Sequence, residues 1–312
     1  MNKKIQKYEI LMNFECNQRC IFCSVGHMFS RKKKIKTLNE IKKELDWAKD
    51  QSIGIISFSG GEPTIRRDLF ECVGYAKKLG FEKIEIQSNG MMFYYKSYAK
   101  KMAESGANRF FISVHGNEKT HDFLTQVKGS FKKTIRGLEN IQKTGVELRL
   151  GIVINNYNYM QLLEWTKNLL KFEALSYHFD YITPVGFSKE NYKNLAPKIK
   201  EVAPSLKKSA DFLLDSGFNP WIHNIYPCNL SGYEAMMSEL MEKRTILSGS
   251  NFRADIDKTK KDGRKKPYSC EKCKFNSLCT GPYQKYIEIY GNKEFKPIRG
   301  ELKSIEFQKY EN

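Results

Sequence analysis

The sequence lacks any run approaching the roughly 20 consecutive apolar residues that a membrane-spanning helix needs. Its first residues, MNKKIQKYEILMNF, also lack the apolar core and the small-residue cleavage site of a secretory signal. Neither a membrane-spanning nor a secreted protein is therefore expected. We expect a cytoplasmic protein whose cysteines stay reduced.

Acidic residues are scarce: 35 Asp and Glu stand against 53 Lys and Arg, a net charge of +18. Such a balance favours anionic partners: nucleic acid, acidic proteins, phosphorylated substrates or anionic lipid surfaces. A Lys-rich proteome would give the same excess, which is scattered along the helical segments. No RNA-binding signature with interleaved aromatic residues accompanies the basic runs at 31–34 and 258–266. We therefore expect general basicity rather than a nucleic-acid site.

The first part of the chain alternates between strand-like and helix-like patterns. Strands are predicted at 8–13, 53–59, 83–88, 109–114, 147–154 and 177–184, with helices at 38–50, 68–79, 94–105, 130–144 and 159–170. Alternation of this kind predicts parallel βα units, whose chemistry lies beyond the carboxyl ends of the strands. We predict an α/β fold.

The regular alternation of strand and helix patterns ends after residue 184. The pattern predicts a helix over 194–214 that is interrupted at Pro204, and then a loop-rich segment with four cysteines. Clustered cysteines in a loop-rich segment are expected where a metal replaces a hydrophobic core. We predict a core at 1–190, a helical connection at 191–225 and a small Cys-rich extension with a tail at 226–312.

Seven of the eight cysteines fall into two sets, and clustered cysteines in a reducing compartment more often bind metal than form disulfides. Cys16, Cys20 and Cys23 have the spacing C-x3-C-x2-C directly after the first strand. Three thiolates leave one position of a metal centre open, as in a [4Fe–4S] cluster with one free iron. A closed zinc site with His27 as the fourth ligand is the alternative.

The second set has the spacing C-x2-C-x5-C. Its members are Cys270, Cys273 and Cys279, with Cys228 further upstream. Four cysteines of this kind can close around one metal, and on spacing alone zinc is favoured. The eighth, Cys72, is predicted to be a core residue of a helix.

The first set, with aromatic Phe22 before its last cysteine, resembles the signature of the radical S-adenosylmethionine (SAM) enzymes. Ser59-Gly60-Gly61-Glu62-Pro63-Thr64, at the end of the second strand, is similar to the GGE-P motif of that family. The resemblance implies a partial (β/α)6 TIM-like barrel. It also implies that the first cysteine set holds a catalytic [4Fe–4S] cluster, whose open iron binds SAM.

The resemblance implies a site for SAM as well. Its cofactor-binding residues would be Phe22, Gly60, Gly61, Glu62, Ser88, Asn89 and Ser113, with Glu62 offering its carboxylate to the SAM amine. Arg149 and Asn155 are weaker candidates, and His115 and His121 are candidates for facing substrate. Each of these polar residues has the alternative of a turn or capping role.

The second set resembles the core of the SPASM extension, which carries auxiliary [4Fe–4S] clusters. Tyr283 stands where a further cysteine would follow, so the similarity is to a reduced, single-cluster "twitch" version with Cys228, Cys270, Cys273 and Cys279 as ligands. An alternative makes Cys228 a hydrogen donor. An acidic flavodoxin or ferredoxin is the expected reductant.

Three functions remain open. The leading one modifies a ribosomally made peptide or protein at carbon, by cross-linking, epimerisation or oxidation. No extra N-terminal domain grips a leader peptide, so a separate leader-binding protein is expected. The second is a small-molecule or cofactor-biosynthesis radical SAM oxidoreductase. The third, a non-catalytic zinc protein that binds RNA, does not explain the GGEPT segment.

Overall fold

The sheet of this protein positions every candidate site. The computed structural model describes residues 5–26, 35–249, 251–302 and 304–305. Within these residues, nine strands form one sheet in the order β7-β6-β5-β4-β3-β2-β1-β8-β9. The strands are β1 Lys7–Asn13, β2 Ile55–Gly60, β3 Lys83–Ser88, β4 Arg109–Ser113, β5 Glu147–Ile154, β6 Ser176–Tyr181, β7 Asn219–His223, β8 Thr245–Ser248 and β9 Arg253–Asp255. All neighbouring pairs except β8–β9 are parallel.

Helices connect the strands. They are α1 Leu38–Asp50, α2 Leu69–Lys78, α3 Lys96–Ser105, α4 Glu118–Thr125, α5 Ser130–Gln142, α6 Leu162–Leu169, α7 Tyr192–Leu195, α8 Ile199–Asp215, α9 Ile256–Thr259 and α10 Gln284–Tyr290. None of the described helices is both long and apolar enough to cross a membrane. The six predicted strands and the α/β fold with its partial barrel are confirmed, with strand ends within three residues.

Each strand of the barrel alternates between its two faces. In β4, Phe110 and Ile112 are fully buried in the apolar core, whereas Phe111 and Ser113 line a cavity inside the barrel. The same alternation places Arg149 and Gly151 of β5 on that cavity. Because side chains of a strand point alternately to opposite faces, one face packs the helices and the other forms the interior of the barrel.

The sheet continues beyond the six predicted strands, and this corrects the sequence-based view of the C-terminal part. The predicted helical connection over 191–225 ends in β7, which pairs with β6. β8 pairs in parallel with β1, so a segment of the predicted extension belongs to the sheet. The division at 190 and 225 stays a prediction, but the sheet crosses both boundaries.

Two helix predictions had different outcomes. The capping box of α1 is confirmed: the Thr37 hydroxyl accepts from the Glu40 amide, and the Glu40 carboxylate accepts from the Thr37 amide. The predicted interruption at Pro204 is wrong, since α8 runs through Pro204 without a break. The chain instead breaks between α7 and α8, around Pro197.

Candidate active site

The loop after β1 carries the first cysteine set at the carboxyl end of the sheet. Cys16, Cys20 and Cys23 are partly buried. Burial raises the pKa of the Cys16 thiol to about 11 and that of the Cys20 thiol well above its ordinary value, and the neighbouring thiols add to both shifts. Three thiolates at this place therefore need a cationic centre, and this donor set fits an iron–sulfur cluster. His27, the alternative fourth ligand, lies outside the described residues.

Polar groups surround the Cys16 sulfur. The Gln18 amide donates to Cys16 Sγ at 3.3 Å, and Asn89 Nδ2 lies 3.8 Å from the same sulfur. Asn89 Nδ2 also donates to Asn17 Oδ1 at 2.7 Å. Donors to ligand sulfurs tune the potential of a cluster. The end of β3 thus contacts the cysteine loop directly.

The two glycines of the GGE segment pack against the cysteine loop. A Cβ at Gly61 would lie 2.1 Å from the Glu15 carbonyl oxygen, and a Cβ at Gly60 would lie 2.4 Å from that of Asn13. Gly60 also has φ +118°, which other residues rarely adopt. The Glu62 amide donates to the Glu15 carbonyl at 2.7 Å. Glycine is therefore required here by the docking of two backbone segments.

Glu62 is buried and its carboxylate is held by the protein itself. Oε1 accepts from the Thr64 amide and hydroxyl and from the Ser88 hydroxyl, and Oε2 accepts from the Asn89 amide at 2.8 Å. Burial raises the pKa of Glu62 against the opposing effect of these bonds. The sequence suggested a carboxylate open to a ligand; the structure adds a role in joining the ends of β2 and β3.

The other predicted SAM-site residues lie near this junction. Ser88 donates to Glu62 and accepts from the Gly90 amide at 3.0 Å, so its hydroxyl is engaged within the protein. Ser113 lines the barrel cavity. Phe22 packs edge-on against the His115 ring with the ring centres 4.7 Å apart. The structure places Phe22, Ser88, Asn89 and Ser113 at the carboxyl end of the sheet.

The weaker candidates separate into two groups. His115 lines the cavity, and its Nδ1 accepts from the Val153 amide, so its proton resides on Nε2. His121 is fully buried, with its Nδ1 accepting from the His115 amide. Asn155 is a turn residue, since its side chain binds the Val153 carbonyl and the Tyr157 amide. Of these three, only His115 faces the interior of the barrel.

A cavity of about 290 Å³ occupies the interior of the barrel. A buried ion network crosses it: Glu85 pairs with Lys7 at 2.7 Å and with Arg149 at 3.0 Å. Burial alone would raise the pKa of Glu85, but the two cations outweigh it and hold that pKa well below its ordinary value. Arg149 is therefore part of the wall of the cavity, committed to Glu85.

Two stacked histidines continue this network. His178 Nδ1 lies 2.9 Å from His223 Nε2, and His223 Nδ1 lies 2.7 Å from the Ser238 hydroxyl. Burial lowers the pKa of both histidines well below its ordinary value, so both rings are neutral. Burial raises the pKa of Asp180, on the same cavity, to about 6.

Sequence reasoning missed these cavity residues. The signal was present as polar residues at every second position of a strand: Lys7 and Glu9, Glu85 and Gln87, and His178 and Asp180. When every second residue of a parallel barrel strand is polar, that face of the strand lines a cavity instead of an apolar core.

The four cysteines of the second set line one small cavity. Its walls include Cys228, Cys270, Cys273 and Cys279. Burial and the neighbouring thiols raise the pKa of Cys228 to about 12, so this donor set also fits a cationic centre. Among the residues that the structure describes, no three Cys, His, Asp or Glu side chains are arranged to hold a single metal ion.

Arg264 joins this cavity to the barrel. Its guanidinium pairs with Glu239 at 3.2 Å and is 4% exposed. Nη1 donates to the Gly281 carbonyl at 3.1 Å, while the Gly281 amide donates to Cys279 Sγ at 3.4 Å. Nη2 donates to Asn224, whose amide nitrogen donates to Asp180 at 2.7 Å. One buried cation thus contacts both the Cys279 turn and the wall of the barrel cavity.

Residues 10–168, which hold both β1 with its cysteine loop and the GGE segment, match the family model of the radical SAM superfamily. The chain belongs to the radical SAM superfamily. Enzymes of this superfamily use a [4Fe–4S] cluster and SAM. The matched range runs from within β1 through β5 and leaves β6 and the second cysteine set outside.

Individual proteins are similar to this radical SAM chain over different lengths. The Fe-coproporphyrin III synthase of Methanosarcina barkeri is 34% identical over 152 residues, which are 47% of this chain and 36% of that protein. The chain spans less than two thirds of the length of the curated relatives it matches first.

Two solved structures share the fold over 94% of this chain. Streptococcus suis SuiB bound to precursor peptide SuiA has a TM-score of 0.68 at 16% identity, over 74% of its own chain. Native anSMEcpe with bound AdoMet and Cp18Cys peptide has a TM-score of 0.64 at 18% identity, over 93% of its own chain. The likeness in fold therefore extends past the family match into the C-terminal segment.

Proposed function

We propose that this protein is a radical SAM enzyme that reductively cleaves SAM and abstracts a hydrogen atom from carbon in a ribosomally made peptide or protein. One observation carries the proposal: the GGE segment is fixed against the three-cysteine loop by the bond from the Glu62 amide to the Glu15 carbonyl. Two segments whose bonded residues lie 47 positions apart in the chain thereby form one site at the carboxyl end of the sheet, where parallel sheets bind their ligands.

In this proposal the residues of the chain have distinct tasks. Cys16, Cys20 and Cys23 hold the catalytic cluster, which with SAM supplies a 5′-deoxyadenosyl radical. Phe22, Ser113 and the backbone of residues 60–62 form the SAM site. Glu62 Oε2 accepts from the Asn89 amide, and because a carboxylate oxygen has two lone pairs, the carboxylate retains acceptor capacity for the SAM amine. Ser88 and Asn89 orient Glu62.

We assign a second [4Fe–4S] cluster to Cys228, Cys270, Cys273 and Cys279. The assignment is supported by the four thiols lining one small cavity, since a [4Fe–4S] cluster takes four cysteine ligands. Residues 226–312 are then the twitch-like extension. If Cys228 is a ligand, Cys228→Ala loses the second cluster. If Cys228 is a hydrogen donor, the same variant keeps the cluster and loses turnover.

The barrel cavity supports a peptide substrate. Pockets that enclose a drug-sized ligand measure about 300–1,000 Å³. The cavity of about 290 Å³ lies at the lower limit of that range and accommodates one side chain more readily than a tetrapyrrole. The fold shared with the SuiB–SuiA complex points the same way. The M. barkeri relative supports the alternative, a small-molecule or cofactor-biosynthesis substrate.

The partners follow from this chemistry. Cleavage of SAM requires an electron from outside the chain, and a surface with net charge +18 favours an acidic flavodoxin or ferredoxin. A separate protein would bind the leader peptide. All eight cysteines are unpaired, which suits the reducing cytoplasm.

The test measures 5′-deoxyadenosine from anaerobically reconstituted protein with SAM and dithionite, beside a Cys16/Cys20/Cys23→Ala variant. We expect product from the wild type alone. A backbone-deuterated random peptide library and GTP, the small molecule that a probable GTP 3′,8-cyclase of Saccharolobus islandicus cyclises, are then added separately. We expect the library to increase product and to transfer deuterium to it. Stimulation by GTP alone would support the small-molecule alternative, and absence of product under all conditions would refute the radical SAM proposal.

A further inference from the structure

We propose that an acidic one-electron carrier protein docks on a surface patch beside the cysteine loop, here called the α4 rim. The rim consists of Arg19, Lys119, Phe123, Lys128, Tyr157 and Met160. The inference rests on the proposed function, because it places the electron donor that SAM cleavage requires.

Ring contacts and hydrogen bonds make the rim continuous. The rings of Phe123, on α4, and Tyr157, after β5, lie 4.8 Å apart. Gln161 donates to the Thr120 hydroxyl at 3.0 Å, which holds the segment with Met160 against α4. The Arg19 amide donates to the Thr125 carbonyl at the end of α4 at 2.9 Å. Three separate loops of the barrel therefore meet on one helix.

The rim has a positive charge that its own acidic residues do not cancel. Arg19, Lys119 and Lys128 are exposed. Of the acidic residues on α4, Glu118 pairs with Lys132 at 3.1 Å, whereas Asp122 accepts from the Ser130 hydroxyl and the Phe131 amide and keeps its negative charge. Lys119 and Lys128 alone outnumber this one carboxylate. The remaining charge is complementary to an acidic partner, and complementary charge speeds encounter.

The rim also exposes apolar surface. The exposed fractions are 46% for Phe123, 43% for Tyr157 and 78% for Met160. Aromatic and Met side chains are enriched at protein interfaces, where they are surrounded by charged residues. An apolar centre with a basic edge is therefore the expected form of a docking site for an acidic protein, whereas a solvated helix would expose mainly charged side chains.

The position of the rim gives it a function. α4 is bonded to the cysteine loop twice, by Arg19 to Thr125 and by the Ile21 amide to the Leu124 carbonyl at 3.0 Å. Ile21 follows Cys20 directly. A carrier on the rim is thus separated from the first cysteine set by little more than one helix and its hydrogen bonds. An electron that enters there reaches the centre that cleaves SAM without crossing the barrel cavity.

The test compares Lys119→Glu/Lys128→Glu with a control of equal charge change, Lys78→Glu/Lys167→Glu, on exposed positions of α2 and α6. A glutamate at 119 occupies the first turn of α4, where a negative charge is tolerated. The holoenzymes are mixed with reduced flavodoxin, an acidic carrier, in a stopped-flow spectrometer. The second-order rate of cluster reduction is measured at low and high salt, and dithionite is the second reductant.

We expect the rim variant to be reduced by flavodoxin at least about tenfold more slowly at low salt, with a flattened salt dependence. The rim variant should be reduced by dithionite at the wild-type rate. The control variant should match the wild type with both reductants. Equal flavodoxin rates in rim variant and control would overturn the docking proposal. So would a rim variant that keeps its flavodoxin rate but loses peptide-stimulated turnover with dithionite, because the rim would then bind substrate. Absence of SAM cleavage with dithionite in the wild type would instead refute the proposed function.

Discussion

The Ser88 hydroxyl donates a 2.8 Å hydrogen bond to the Glu62 carboxylate, which joins the ends of β2 and β3. The Asn89 amide donates to the other oxygen of the same carboxylate, and the Asn89 side chain reaches the cysteine loop. One buried carboxylate therefore fixes the relative positions of three loops at the candidate site. The contribution of this carboxylate to the free energy of unfolding can be measured in the metal-free protein, independently of catalysis.

Replacing Glu62 by Gln should destabilise the metal-free protein by about 1–3 kcal/mol, because an amide nitrogen would face a donor in place of an acceptor oxygen. Ser88→Ala removes fewer bonds and should cost about 1 kcal/mol. Urea unfolding measures both. A Glu62→Gln variant as stable as the wild type would contradict the assignment of the carboxylate to its four protein donors.

Gly61→Ala should separate the GGE segment from the cysteine loop. The added methyl group would lie 2.1 Å from the Glu15 carbonyl oxygen, so one backbone segment must move. We expect a loss of about 1–3 kcal/mol and reduced iron incorporation at the first set, although all three cysteines remain. Gly74→Ala is the control, since its nearest atom is 4.0 Å away on a helix. Equal iron contents in both variants would argue against the docking role.

Iron and sulfide analysis separates the two cysteine sets. We expect about eight irons per chain in the wild type and about four in the Cys16/Cys20/Cys23→Ala variant. A Cys270/Cys273→Ala variant should retain the four irons of the first set. The wild type could instead contain zinc. If that zinc is lost in Cys270/Cys273→Ala and kept in Cys16/Cys20/Cys23→Ala, the C-terminal site is a zinc site.

Arg264→Met should loosen the C-terminal segment from the barrel, because it leaves Glu239 buried without its cation. Removing one partner of a buried pair costs about 3–5 kcal/mol. Unfolding and limited proteolysis of the metal-free protein measure the effect. We expect Arg264→Met/Glu239→Leu to recover much of the loss. If both variants lose the same stability, the ion pair is not what Arg264 contributes.

Asp180 should make stability depend on pH. Burial raises the pKa of Asp180 to about 6 in the folded protein, above its ordinary value, so its contribution is fully present at low pH and is lost as pH rises through 6. Relative to wild type, Asp180→Asn should gain about 1–3 kcal/mol between pH 4 and pH 7. Urea titrations of the metal-free proteins at each pH measure this difference. A difference that is independent of pH would place the Asp180 pKa near its ordinary value.

The sequence predicted the six barrel strands because each is a buried run followed by a helix with its own period. It did not predict β7, since Pro220 argues against a central strand. The structure resolves this: β7 is the first strand of the sheet order, pairs with β6 and has an isolated bridge from Ile222 to Met237 on its other side, and edge strands tolerate proline. β8 has four residues and becomes a strand through its pairing with β1 and β9.

Part of the candidate site was likewise predictable from the sequence, and part was not. Cysteine spacing and the GGE segment identify local chemistry, so the sequence alone indicates both. The partners of Glu62 were not predicted, because they depend on how the ends of two strands meet. The Arg264 junction was also missed, since Asn224, Glu239 and Gly281 are brought to one guanidinium only by the folded chain.

The pairing of β8 with β1 affects how the protein can be made. β1 ends at residue 13 and β8 begins at residue 245, so a growing chain must extend by more than two hundred residues before the second edge of β1 is covered. Until then the strand that carries the cysteine loop presents open backbone groups. Because such distant parallel pairings form slowly, this edge is exposed to wrong partners during synthesis. β1, which leads into the cysteine loop, is thus among the first strands to be synthesised and among the last to be paired on both edges.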